Sequence, residues 1–167
     1  MRIKTEKQFA VFYDKHADAI FRYCYYRVYQ RELAKELSQE SFCRLWSMVA
    51  DDKEITYPKA VIYRIARNLI IDHSRKKKEA SLEEIQEASG DGVFSDVKSQ
   101  NHGDRLDVKA ALERLREKNE DLSEALEMKY LQGLKVKEIA QILGVSPNIA
   151  SVRIHRAIKQ LKELYGD

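Results

Sequence analysis

The stretch Leu134–Leu161, LKVKEIAQILGVSPNIASVRIHRAIKQL, constrains the fold more than any other part of this sequence. Apolar residues recur at helical spacing up to Leu143, which predicts a helix with one apolar face. Gly144 predicts the end of that helix, because glycine tolerates the left-handed conformation of a C-cap. Ser146 suits the N-cap of a second helix, and Pro147 suits its first position. The pattern therefore predicts two short helices joined by a tight turn.

The second of these helices is predicted to bury Ile149, Val152 and Ala157 and to expose a basic face. The residues predicted on the exposed face are Ser151, Arg153, His155, Arg156 and Lys159. From Lys135 to Lys162 the chain carries six Lys or Arg residues against one acid, a net charge of +5. A basic helix after a tight turn favours DNA binding in a major groove. A structural helical hairpin with a solvated charged face is the alternative.

Charge is segregated along the 167 residues, although the net charge of the whole chain is only +3. Residues 59–78 carry a net charge of +6, and residues 79–107 carry −6. Two prolines and six glycines over this length favour an all-α protein. We therefore predict two small helical domains with basic surfaces, joined by a flexible acidic linker.

Helical periodicity predicts five helices before the turn motif. Their predicted bounds are Gln8–Val28, Glu32–Val49, Pro58 to about Arg75, Leu106–Leu115 and Leu122–Gln132. A short helix around Ser81–Ala88 is compatible with the linker composition. The predicted division is a first domain at 1–78, the linker at 79–105 and a second domain at 106–167.

Several classes of protein are disfavoured by composition. No stretch approaches the ~20 apolar residues of a membrane span, and the first residues lack a signal-peptide core, so we expect a cytoplasmic protein without membrane insertion. Cys24 and Cys43 fit no metal or redox spacing and are expected to be buried thiols. The four histidines are scattered. We expect neither a metal site nor a cofactor.

A second basic constellation lies on the helix predicted to start at Pro58. Basic and amide side chains recur there at spacings of three and four residues, with an aromatic ring beside them. The candidate residues are Tyr63, Arg64, Arg67, Asn68 and Arg75. Cations bind phosphates, and a neighbouring ring or amide can contact an unpaired base, so this face suits single-stranded DNA. A solvated amphipathic helix is the alternative.

The helix predicted at Glu32–Val49 carries a mixed polar face that is a candidate docking surface for a partner helix. The residues of that face are Glu36, Gln39, Glu40 and Arg44. Phe42 and Trp46 at its edge are predicted to be mostly core. The tyrosines at positions 23, 25, 26 and 29 cover too much of the first helix to be wholly buried, which favours a further interface.

These motifs in this order resemble the bacterial sigma-70 family, and specifically its extracytoplasmic-function (ECF) group. LAKELSQESFCRLW is similar to region 2.2, and YPKAVIYRIARNLIIDHSRKKK is similar to regions 2.3–2.4. GLKVKEIAQILGVSPNIASVRIHRAIKQL is similar to region 4.2. The resemblance covers nearly all of the chain except the linker.

The resemblance implies a promoter-recognition subunit of RNA polymerase that has no catalysis of its own. Region 2 would dock on the β′ clamp helices through the helix bearing Gln39 and Glu40. It would capture the −10 element with the loop Ala50–Tyr57 and the helix bearing Asn68. Region 4 would sit on the β flap and read the −35 element through Asn148, Ser151, Arg153, His155 and Arg156. The linker would run through the RNA exit channel, and an anti-sigma factor is an expected partner.

Two other classes of function stand beside this one. In a stand-alone transcription regulator, residues 1–75 would sense a small molecule or form a dimer, although the basic face of that part argues against an apolar pocket. A nucleic-acid enzyme lacks support, because the sequence shows no carboxylate cluster, phosphate-cradling glycine loop or nucleophile motif.

Overall fold

A computed structural model describes residues 2–87 and 103–165, with side chains described for 2–80 and 108–164. The helices are α1 Glu6–Val28, α2 Arg31–Ala50, α3 Pro58–Glu87, α4 Gly103–Lys118, α5 Glu120–Tyr130, α6 Val136–Leu143 and α7 Pro147–Tyr165. The chain divides into two compact units, Met1–Glu87 and Ala88–Asp167. The all-α prediction is confirmed for the described residues. The predicted domain boundaries remain predictions.

The first unit packs α1, α2 and α3 against one another. Thr5 starts α1 with a capping box, in which its hydroxyl accepts from the Gln8 N–H and the Gln8 side chain accepts in return. The chain turns into α2 at Tyr29, a non-glycine residue in the left-handed conformation with φ of 51°. The buried side chains that join the three helices include Ile20, Leu45 and Ile62.

The third helix is longer than predicted, because it continues past Arg75 to Glu87. Residues 76–87 contain Ala, Leu, Glu, Gln and Lys, which are good helix formers, and neither Gly nor Pro. A pairing of Arg75 Nε with Glu79 Oε1 at 3.8 Å, one turn apart, supports the continuation. The part of the predicted linker at 88–102, including Ala88 of the predicted short helix, lies outside the described residues.

The second unit packs α7 against α4, α5 and α6. Its apolar cluster consists of Leu112, Leu115, Leu122, Leu126 and Ala157. The Asn119 side chain caps α5 by accepting from the Leu122 N–H at 3.1 Å. A buried polar link ties α4 to α5, since the Glu127 carboxylate accepts from Arg116 at 2.7 Å and from the Ser123 hydroxyl at 2.9 Å. The unit thereby holds α7 on a scaffold of three helices.

The two cysteines differ, and the prediction that both are buried is wrong for one of them. Cys24 is buried in α1, and burial raises the pKa of its thiol from 9.0 to about 12. Cys43 is exposed, because it lies on the side of α2 opposite Leu45 and the other core residues. Among the described residues, no helix is long and apolar enough to cross a membrane.

Candidate nucleic-acid interface

The turn between α6 and α7 has the predicted geometry. Gly144 adopts the left-handed conformation with φ of 67°, and the Val145 N–H closes the turn on the Ala140 carbonyl at 3.0 Å. The Ser146 hydroxyl accepts from the Ile149 N–H at 3.2 Å, and α7 begins at Pro147. The predictions for Gly144, Ser146 and Pro147 are therefore confirmed.

Of the three residues predicted to be buried on α7, only Ala157 is buried. Ala150, Ile154 and Ala157 are buried, and their spacing of four and three residues forms one stripe against the other helices. Ile149 and Val152 were expected in the core, but 46% and 39% of their surfaces are exposed. The prediction for Ile149 and Val152 failed because the larger apolar residues were used to locate the buried face. Two small alanines, Ala150 and Ala157, form most of that face instead.

The opposite face of α7 is polar, and Val152 lies within it. Of the predicted contacts, Asn148, Ser151, His155 and Arg156 are exposed. At about 3.6 residues per turn, Asn148, Val152, His155 and Lys159 follow one line along this face. Lys159 is exposed as predicted, although the sequence did not identify it as a −35 contact. Val152, predicted in the core, is exposed on the same face. The face offers hydrogen-bonding groups, positive charge and one apolar side chain to a groove.

Arg153 differs from the other predicted α7 contacts because it already has a partner. Its Nη2 lies 2.8 Å from Oδ2 of Asp121, in the first turn of α5, and 23% of its side chain is exposed. Arg153 lies at the edge of the exposed face, toward α5. The ion pair links α7 to the first turn of α5.

In the first unit, α3 exposes the predicted basic and amide face. Arg64, Asn68 and Arg75 are exposed along one side of the helix, and Arg67 is half-buried at its margin. Arg75 lies near two acids of its own helix, with Asp72 at 3.9 Å and Glu79 at 3.8 Å. Such exposed pairs contribute little to stability and are readily exchanged for a phosphate partner.

Tyr63 does not belong to that face, so its assignment as a direct DNA contact is corrected. Its relative exposure is 1%, and its ring packs edge-on against Tyr23 of α1 at 5.2 Å between centroids. A base cannot stack on a ring that is covered on both sides. Tyr57, in the loop before α3, is 63% exposed and offers the ring that Tyr63 does not. The sequence places Tyr57 directly before Pro58, at the start of the basic helix, and this position could have identified it as a candidate contact.

The polar face of α2 is exposed as predicted. Glu36, Gln39, Glu40 and Arg44 are all accessible, and Arg44 Nε donates to Glu40 Oε1 at 2.7 Å. Cys43 lies in the middle of this face. Beside it, a shallow groove of about 350 Å³ runs between α1 and α2, with Phe9, Tyr13, Phe42 and Trp46 in its wall. Among the described side chains, no group of three or more His, Cys, Asp or Glu is arranged to hold a metal ion.

Two stretches of the chain match family models. Sigma-70 region 2 matches residues 12–80, and Sigma-70, region 4 matches residues 105–161. The first match covers most of α1, all of α2 and α3 up to residue 80. The second covers α4 to α7 up to residue 161, including the turn of the helix-turn-helix.

Relatives match along almost the whole chain. The ECF RNA polymerase sigma factor SigM of Bacillus subtilis is 30% identical over 92% of this chain and 93% of SigM. BldN of Streptomyces coelicolor is 29% identical over 95% of this chain, and SigE of Mycolicibacterium smegmatis is 29% identical over 89%. The chain spans 61% of the length of BldN and 58% of that of SigE. The chain belongs to the sigma-70 family, in the ECF group.

Solved structures share the fold. The sigma factor RpoE of Bartonella quintana, in complex with the anti-sigma factor NepR, aligns with a TM-score of 0.71 at 24% identity, over 95% of this chain and 96% of RpoE. CnrH, in complex with the cytosolic domain of CnrY, aligns with a TM-score of 0.67 at 20% identity, over 96% of this chain and 88% of CnrH.

Proposed function

We propose that this chain is a sigma factor that binds core RNA polymerase and directs promoter-specific initiation of transcription. The second unit would read the −35 element as duplex, and the first would melt and capture the −10 element. The observation that carries the proposal is that the two sigma-region matches fall on two separate helical units, each with an exposed basic helix face. The protein would carry no catalysis of its own and would act in the cytoplasm with the polymerase.

For the −35 element, α7 is the proposed recognition helix. Its exposed face carries Asn148, Ser151, His155 and Arg156, and the turn at Gly144 sets its angle to α6. In helix-turn-helix proteins, the N-terminal part of the second helix contacts base edges in the major groove. Arg153, paired with Asp121, would contribute mainly by fixing α7 in place and secondarily by a contact of its own.

For the −10 element, α3 and the loop before it are the proposed capture surface. Arg64, Arg67 and Arg75 would hold phosphates of an unpaired strand, and Asn68 would hydrogen-bond a base. Tyr57 takes the stacking role first assigned to Tyr63, because its ring is exposed. Stacking on an aromatic ring contributes about 1–3 kcal/mol per base in single-strand binding proteins.

For the polymerase, the α2 face of Glu36, Gln39, Glu40 and Arg44 is the proposed docking surface for the β′ clamp helices, and the second unit would dock on the β flap. An anti-sigma factor is a further proposed partner, supported by the complex of RpoE with the anti-sigma factor NepR.

The test uses core polymerase and two variants, one directed at binding of the −35 element and one at opening of the −10 element. Run-off transcription from genomic fragments of the source organism first identifies a promoter. The chain with core polymerase should bind this promoter specifically, and the free chain should bind it weakly. Arg156→Ala should weaken binding to a fully paired promoter. Asn68→Ala should leave that binding unchanged but reduce permanganate reactivity of thymines in the −10 region, which reports strand opening.

Equal promoter specificity with and without core polymerase would contradict the proposal. A footprint on a single palindromic site, with no melted stretch, would instead identify a stand-alone regulator. If Asn68→Ala leaves opening untouched, the −10 role of the α3 face is wrong even though the sigma activity stands.

A further inference from the structure

The segment Arg2–Lys4, called here the N-terminal strap, pairs with the loop that joins α2 to α3. The Ile3 N–H donates to the Ile55 carbonyl at 3.0 Å, and the Ile55 N–H donates to the Ile3 carbonyl at 2.9 Å. The two residues form an antiparallel bridge, outside any helix. The contact links residues that lie some fifty positions apart in the sequence. It belongs to neither of the two basic motifs described above.

The strap is anchored on both sides of Ile3. Arg2 Nη1 pairs with Glu54 Oε1 at 3.0 Å, so the ion pair adjoins the backbone bridge. The Lys4 N–H donates to the Gln8 side chain at 2.9 Å, which joins the strap to the capping box of α1. The Ile3 side chain is completely buried, and that of Ile55 nearly so. The strap therefore transmits the position of α1 to the loop.

The loop itself has few other restraints. Within residues 51–57, Asp52 adopts the left-handed conformation with φ of 58°. The N–H groups of Asp52 and Lys53 donate to carbonyl oxygens at the end of α2, each at 3.1 Å. Beyond them, Ile55 supplies the loop's buried side chain, while Glu54, Thr56 and Tyr57 are exposed. Ordering a backbone residue costs roughly 1–2 kcal/mol in conformational entropy, so the middle of the loop, where Ile55 makes its backbone hydrogen bonds to Ile3, depends strongly on that bridge.

We propose that the N-terminal strap is a positioning segment for this loop and holds it in the conformation that accepts an unpaired base of the −10 element. The inference rests on the proposed function, because it assigns the loop and Tyr57 to base capture. Without the strap, the loop would sample many conformations, and apparent affinity falls in proportion to the population of the competent one. The strap touches no base itself, so it acts through the loop.

Three variants of the full chain test the proposal with core polymerase and a promoter that the unaltered chain opens. Deletion of residues 2–4 removes the strap. Ile3→Pro removes the N–H that bonds to Ile55 but keeps an apolar side chain. Lys4→Ala is the matched control, since it leaves the bridge and the Lys4 N–H in place. Circular dichroism and thermal unfolding establish that each variant remains folded.

The readout is a comparison of two templates. We expect the deletion and Ile3→Pro to bind a forked template, with a paired −35 element and an unpaired −10 strand, about tenfold more weakly, as for a tenfold smaller competent population. Binding to a paired −35 duplex and to core polymerase should change less than twofold, and Lys4→Ala should behave as the unaltered chain. Equal losses on both templates, or none on the forked one, overturn the proposal.

A reversible cross-link decides the case in which the deletion destabilises the whole unit. A hydrogen-bonded antiparallel pair holds its Cα atoms about 5.5 Å apart, within reach of a disulfide. In a Cys43→Ser background, Ile3→Cys with Ile55→Cys should open the promoter at least as fast when oxidised as when reduced. Slower opening after oxidation would mean that the strap must release, which overturns the proposal. If the unaltered chain opens no promoter, the proposed function fails instead.

Discussion

At the scale of single residues, Val152 is the most informative side chain of the second unit. It lies between Asn148 and His155 on the exposed face of α7. Exposure of an apolar side chain to water is unfavourable, so burial against a partner would lower its free energy. The major groove of DNA presents one apolar group, the C5 methyl of thymine, and apolar side chains contact it in direct readout. Val152 is therefore expected to contact a thymine methyl group in the −35 element.

If Val152 contacts a thymine methyl group, the losses of binding free energy on removing methyl groups from the protein and from the DNA should not be additive. Replacing one −35 thymine by deoxyuridine removes the DNA methyl, and Val152→Ala removes two carbons from the protein. At about 0.8 kcal/mol for each buried carbon, the deoxyuridine change should weaken binding by about 1 kcal/mol and Val152→Ala by about 1–2 kcal/mol, and the two together should cost less than their sum. Fluorescence anisotropy with core polymerase measures all four combinations at each thymine position.

Ile149→Ala serves as the matched control, because Ile149 is also an exposed apolar residue of α7 but lies on its flank. Strict additivity of Val152→Ala with deoxyuridine at every position would contradict the assignment and leave the role of the polar residues intact.

The sequence-based predictions failed in opposite directions at Val152 and Tyr63, since the first was expected to be buried and the second exposed. Periodicity assigns large apolar residues to the core, but a surface that binds DNA or a partner also uses them. Inside the second unit, Ala150 and Ala157 pack closely against neighbouring helices, and their small side chains give a weak periodic signal. Tyr63 was placed beside the basic residues by its neighbours in sequence, while its ring faces Tyr23.

At the scale of helices, local chemistry made several elements predictable. The turn at Gly144 and Ser146 depends on one left-handed residue and one cap, and both signals lie within the segment itself. The pairing of Ile3 with Ile55 was not predictable, since one apolar residue in each of two short segments carries no periodicity. The continuation of α3 past Arg75 to Glu87 was also not predicted, because the polar composition of this stretch indicated a linker although most of its residues are good helix formers.

The α2 face allows a direct test of polymerase docking, because Cys43 lies among Gln39, Glu40 and Arg44. The thiolate form of a cysteine is the nucleophile that attacks a maleimide reagent. Cys24 is buried, and its raised pKa of about 12 keeps the thiol neutral at pH 7, so one label per chain is expected, at Cys43. The bulky adduct should weaken binding to core polymerase by about tenfold, or roughly 1.4 kcal/mol. Prior binding to core should protect Cys43 from the reagent.

Cys43→Ser is the control for this experiment, because it keeps a small polar side chain at the position. This variant should bind core polymerase normally and take up no label under the same conditions. A labelled chain that binds core as tightly as the unlabelled chain would exclude this face from the docking surface.

At the scale of the whole molecule, the two proposed DNA-binding surfaces belong to separate helical units of one chain. Each proposed contact alone, a few base edges in a groove or a few phosphates and one stacked base, would bind weakly. Joining two binding modules makes the second binding event intramolecular, and its effective concentration can raise overall affinity by ~10²–10⁴. Core polymerase would add to this gain by holding both units.

The contribution of the covalent connection can be measured without changing any of the seven described helices. A protease recognition sequence inserted within residues 88–102 allows the purified, folded chain to be cut after assembly, and the uncut insertion variant is the control. Cutting should weaken the affinity of the free chain for the promoter by ~10²–10⁴, measured by titration to high protein concentration, and should weaken binding by less when core polymerase is present. Competition with salt should show fewer released counterions for each separated unit than for the intact chain. Unchanged promoter affinity after cutting would mean that one unit carries the binding alone, which would contradict the proposal that both units contact the promoter.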